Sequence, residues 1–225
     1  HASDARAVFA RQYDAGAAWF AIHAGYLPRD ADTLGRLFAG AIDRGDGGVF
    51  DILHATALGD HPVAAMGRHV TRGLLSAGRP EGWAAVAGLL LAAQRAEGLR
   101  QIILEAADEA RPDAFRLILR TVLDHNLTRF SAAVRAANTW LGFRLDAENS
   151  GDLGGILHQT LRYLNDRAER EWAAARGNGR EAYLALWAMA FDNIDVAAGT
   201  AEPLLSDADP ERRFAAAYLL GQMQL

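Results

Sequence analysis

At 225 residues the chain exceeds one typical compact domain, and with 51% apolar and 23% charged residues it has enough core material to fold. It has no cysteine and all 23 of its basic residues are arginine, which excludes disulfides, thiolate zinc sites, cysteine nucleophiles and every lysine-dependent chemistry. The net charge of −5 argues against a dedicated nucleic-acid binder, and no run of about 18 apolar residues is present to span a bilayer.

The first residue is His1 and not methionine, which suggests a tag remnant or, the favoured reading, a piece cut from a longer protein; the N-terminus shows no charged-then-apolar signal pattern, and a cytoplasmic location is expected. From there one spacing recurs, with apolar or small residues at i, i+3, i+4 and i+7. It runs through Leu34, Leu37, Phe38 and Ala41, then Val49, Ile52, Leu53 and Thr56, then Val63, Met66, Gly67 and Val70. It continues in Trp83, Val86, Ala87 and Leu90, in Leu99, Ile102, Ile103 and Ala106, and in Phe115, Ile118, Leu119 and Val122. Tyr183, Leu186, Trp187 and Ala190 close the series. At 3.6 residues per turn each set lies on one helix face, and no segment alternates with period two, so the fold is predicted to be all-α without a sheet.

Breakers set the helix limits. Asp60-His61-Pro62, Gly78-Arg79-Pro80, Ala110-Arg111-Pro112 and Ala208-Asp209-Pro210 each place proline where a helix should start, since its missing N–H has no intrahelical partner there. Asp209 reads as an N-cap with Glu211 favourable in the first turn, whereas Pro203 should kink or shorten the helix over 194–205. The stretches 142–151 and 176–179 are polar and glycine-bearing, and 143–180 reads as an irregular, insertion-like region.

Two segments match each other: Arg79-Pro80-Glu81-Gly82-Trp83 aligns with Arg111-Pro112-Asp113-Ala114-Phe115, 32 residues later. Each precedes a second helix, beginning near Leu99 and near Leu127. A helical hairpin recurring about every 30 residues predicts an α-solenoid, with about 12 or 13 short antiparallel helices in a single domain over 1–225. Two unrelated amphipathic hairpins are the competing account of the same match.

The closing stretch Asp207-Ala208-Asp209-Pro210-Glu211-Arg212-Arg213-Phe214-Ala215-Ala216-Ala217-Tyr218-Leu219-Leu220-Gly221 resembles the second helix of a HEAT-type repeat, with its Asp-Pro entry, arginine, paired alanines and Leu-Gly exit. Gly82-Trp83, the run Leu89 to Gln101 and Tyr183-Leu184-Ala185-Leu186-Trp187-Ala188 are similar to a helical region of large bacterial proteins that carry a domain of unknown function. Some of those proteins contain a WGR domain and are described as molybdate metabolism regulator-like. The resemblance implies a HEAT-like helical array and transfers no catalytic residue; no WGR signature is visible.

The chemistry-bearing residues form no established constellation. The seven histidines, His1, His23, His54, His61, His69, His125 and His158, include no HxxxH or HExxH pair. Asp146 to Asp152 opens like a calcium loop, but Leu157 stands where the bidentate acid is required, so a polar loop ending in a helix cap is expected. Gly45-Asp46-Gly47-Gly48 and Gly151 to Gly155 lack nucleotide-loop spacing, no GxSxG elbow occurs, and Glu105 with Asp108 or Glu109 reads as an ordinary helix surface. No catalytic residue, cofactor or metal is therefore predicted.

Binding surfaces remain. Trp83 and Trp187 sit on apolar stripes and read as core, whereas Trp172, between Glu171 and alanines in a charged helix, reads as an exposed interface residue. Arg116 and Arg120, with Arg129 and Arg135 on the next helix, could line a basic stripe, or could be solvated side chains with nearby partners. The expected function is a non-catalytic protein-interaction or scaffolding module of a larger bacterial protein. A nucleic-acid module using the arginines and a purely architectural spacer are the alternatives.

Overall fold

The computed structural model describes residues 31–51, 67–92, 97–107, 112–142 and 152–223. Among them the protein is all-helical, with no strand, and no helix is long and apolar enough to cross a membrane. The chain divides into two compact units, one of residues 1–121 with 130–136 and the other of 122–129 with 137–225.

In the first unit lie α1 (Ala31–Asp43), α2 (Gly67–Ser76), α3 (Pro80–Ala92), α4 (Glu97–Ala106) and most of α5 (Pro112–Asp124). The prolines at 80 and 112 are the first residues of their helices, as their chemistry requires. Leu34, Phe38, Leu74, Leu90, Ile103 and Ile118 are fully or almost fully buried and belong to the predicted stripes or their helix faces. α1 packs on α2, which also meets α3 and α4. Gly73 lets the first pair approach closely, because a Cβ there would sit 2.7 Å from Leu34 Cβ. Trp83 lies half-buried and donates its indole N–H to the Leu75 carbonyl at 3.0 Å. Arg79 grips Asp43 through two bonds of 2.6 Å, holding that carboxyl below its ordinary range.

The second unit contains α7 (Leu153–Asn165), α8 (Arg167–Arg176), α9 (Gly179–Asp192), α10 (Ile194–Ala201), a 3-10 helix (Glu202–Ser206) and α11 (Pro210–Gln222). The end of α6 (Ser131–Leu141) also belongs to it. α9 is its centre, packing on α7, α8, α10 and α11, and Leu184, Ala185 and Leu186 are wholly buried. Pro203 has the predicted effect: the α-helix ends at Ala201 and the chain continues as 3-10 turns.

Within 143–180 the described residues form α7 and α8, with breaks at Asp166 and at Gly177-Asn178. Leu153, Ile156, Leu157, Thr160 and Leu164 bury one face of α7, and a single residue, Asp166, joins it to α8 while capping the Glu169 N–H at 3.0 Å. Polar side chains occupy the solvent face of these helices, with Arg167 paired to Glu171 at 2.7 Å. Residues 143–151, with most of the calcium-loop-like segment, lie outside the described residues, as do His1, His23, His54 and His61. Asp152 starts α7 without a side-chain capping bond and pairs instead with Arg180 at 3.4 Å.

Candidate functional site

The second unit is held together by side chains that answer the unbonded carbonyls of helix ends. α6 stops where Gly142 takes φ +69°, the left-handed conformation that glycine adopts without a Cβ penalty. Its last carbonyls then accept from three aromatic donors: the Trp187 indole N–H bonds Trp140 at 2.6 Å, Tyr183 bonds Leu141, and Tyr218 bonds Gly142. Burial holds the Tyr183 phenol far above its ordinary range, so it stays a neutral donor. α8 ends in the same way. Arg212, only 6% exposed, donates to the carbonyls of Ala174 (3.0 Å), Ala175 (2.8 Å) and Gly177 (2.6 Å), and its Nε bonds Asp207 at 3.0 Å.

Fixing those rings leaves a space beside them. α9 starts with a capping box in which Asn178 accepts from the Glu181 N–H at 3.0 Å and Glu181 accepts from the Asn178 N–H at 2.9 Å. α11 starts at Pro210 with Asp209 accepting from the Glu211 N–H at 2.9 Å, the predicted cap. The two starts touch at Gly179, whose Cβ position would fall 2.9 Å from the Glu211 carbonyl carbon. Above this contact opens a cavity of about 540 Å³ walled chiefly by Ile156, Tyr183, Pro210, Phe214, Ala215 and Tyr218.

The tyrosine rings of 183 and 218 stand 5.8 Å apart at 56°, forming a corner, and Phe214 stacks beside Tyr218 at 5.7 Å and 21°. Phe214 is 69% exposed, an unusual position for so large an apolar group. Arg180 and Glu211 supply the charges among the lining residues. Among the described residues no group of three His, Asp or Glu side chains is placed to hold a metal ion.

The model of a protein family described as a family of unknown function, DUF5724, matches residues 10–225. The chain belongs to DUF5724. No curated protein and no solved structure matches it. The DUF5724 match carries the resemblance to a domain of unknown function and says nothing of HEAT-type or WGR-bearing relatives.

The residues singled out from the DUF5724 sequence fall on several elements and in both units. Trp172 lies on α8 at 55% exposure, as its polar surroundings indicated, and is not among the cavity's walls. Arg116 and Arg120 lie on α5, where Arg116 pairs with Asp113 at 3.3 Å and Arg120 is exposed. Arg135, on α6, donates to Gln101 at 2.7 Å and to Ser131 at 3.2 Å. Arg129 does not share that helix: it ends a 3-10 turn (Leu127–Arg129) in the second unit, following the left-handed Asn126 at φ 52° that terminates α5. Ile156, Tyr183, Phe214 and Tyr218 were not foreseen as a site. Their spacing reads as ordinary core, and only Phe214 and Tyr218, four residues apart on one helix face, could have pointed to a second apolar face.

Proposed function

We propose that this chain is a non-catalytic protein-interaction module and that the cavity of its second unit is the docking site. The observation that carries the reading is Phe214, a largely exposed aromatic at the edge of an apolar, aromatic-walled cavity large enough for one or two side chains. Water gains little from such a surface, whereas a partner side chain would bury it. A HEAT-like arrangement of hairpins agrees with two further facts. α3 and α5 both begin at an Arg-Pro pair and both run 13 residues, and α9 packs on the two helices before it and the two after it.

The test is site-specific crosslinking in the longest natural form of the protein. With p-benzoylphenylalanine at position 214, a defined polypeptide should be captured, in trans or from the parent chain, and excess unlabelled protein should compete. The same probe at the exposed Arg167 should capture nothing. Equal capture at both positions would remove the reading in favour of a purely architectural role. A salt-sensitive nucleic-acid mobility shift abolished by replacing Arg116, Arg120, Arg129 and Arg135 would replace it by the nucleic-acid module.

A further inference from the structure

We infer that the partner segment is basic: it inserts an apolar side chain into the cavity and sets a guanidinium or ammonium group against Glu211. The inference rests on the docking reading and adds the charge of what docks. Two charged residues line the cavity, and they are not equivalent. Arg180 is already paired with Asp152 at 3.4 Å. Glu211 is exposed, sits in the first turn of α11 where the helix dipole favours a carboxylate, and among the described residues makes no ion pair, so its charge at the rim has no side-chain partner. The positive ends of α9 and α11 lie at the same rim, but each is answered from within, by the Asn178–Glu181 box and by Asp209.

The walls favour the same sign. Aromatic rings attract a cation through their negative faces, and the corner of Tyr183 and Tyr218, with Phe214 continuing it, lines the same cavity as Glu211. Both tyrosine hydroxyls spend their protons on the carbonyls of Leu141 and Gly142, leaving no donor of theirs to welcome an anion. An anionic ligand would therefore meet Glu211 with only a shared Arg180 to offset it. The chain's net charge of −5 adds long-range attraction for a basic partner.

Three probes of one shape separate the possibilities: 4-phenylbutylammonium, 4-phenylbutan-1-ol and 4-phenylbutyrate, titrated into the full chain and followed by amide NMR at low salt. The ammonium probe should bind about fivefold more tightly than the alcohol, with the anion weakest, and shifts should centre on residues 179–183 and 211–218. Glu211→Gln should remove the gap between ammonium and alcohol while leaving alcohol affinity and spectral dispersion unchanged. Equal binding of ammonium and alcohol, or preference for the anion, overturns the inference while the cavity remains a docking site. If none of the three shifts the lining amides, the docking reading falls with it.

Discussion

Replacing Arg212 by methionine tests whether helix-end capping by distant side chains holds the second unit together. Methionine keeps an unbranched stem of similar width and removes every donor. Three carbonyls, of Ala174, Ala175 and Gly177, then lose partners at 2.6–3.0 Å in a place from which Arg212 excluded water. Each stranded carbonyl costs about 1–3 kcal/mol if it stays dry, and partial hydration through the vacated space lowers the total to about 3–5 kcal/mol. Against a typical stability of about 5–15 kcal/mol this is a large share, equivalent to a fall in melting temperature of more than about 10 °C. Hydrogen exchange of the α8 and α9 amides reads the loss locally, which matters in a chain of two units. Arg212→Lys should recover only part of it, because a single ammonium cannot span acceptors that the planar fork reaches together. If the methionine variant loses less than about 1 kcal/mol, the carbonyls are as well served by water, and the capping account is wrong.

Gly179→Ala should destabilise despite alanine's helix preference of about 0.5–1 kcal/mol, because crowding against the Glu211 backbone costs about 1–3 kcal/mol; thermal unfolding gives the sign. Asp207 is held below its ordinary value of 3.8, first by the Asp209 N–H and then by Arg212. Its folded pKa lies below the unfolded one, so its stabilisation is complete only above about pH 5 and disappears as pH falls through the depressed value. Asp207→Asn should therefore flatten the acid limb of a stability–pH curve and leave the limb above pH 5 parallel to that of the unmodified protein. Trp172→Ala should change stability by less than about 1 kcal/mol, since the side chain is more than half exposed, and a larger loss in chemical denaturation would mean it is packed. Any accompanying loss of partner crosslinking at position 214 would extend the docking surface to α8.

The helices were legible in the sequence because their signals are local. Pro80, Pro112 and Pro210 start helices, Asp209 caps one, Pro203 ends another, and each effect depends on a residue's own backbone or its next few neighbours. The 3.6-residue period likewise marked the buried faces that hold Phe38, Ile118 and Leu186. The polarity of α7 and α8 left their helices less legible, because composition records how much of a helix faces water and not whether the helix forms.

What the sequence could not assign is which helix end each donor reaches. Tyr183, Trp187 and Tyr218 find acceptors 42, 47 and 76 residues away, and the rings pinned by those bonds are what shape the cavity. Arg212 and Arg213 make the same point side by side. Arg212 is buried and ties α11 to the end of α8, whereas Arg213 stays exposed and bonds the nearby carbonyls of Asp207 and Ala208 at 2.7 and 3.0 Å. A helix turns about 100° between adjacent residues, and only the packed neighbours decide which arginine meets carbonyls and which meets water.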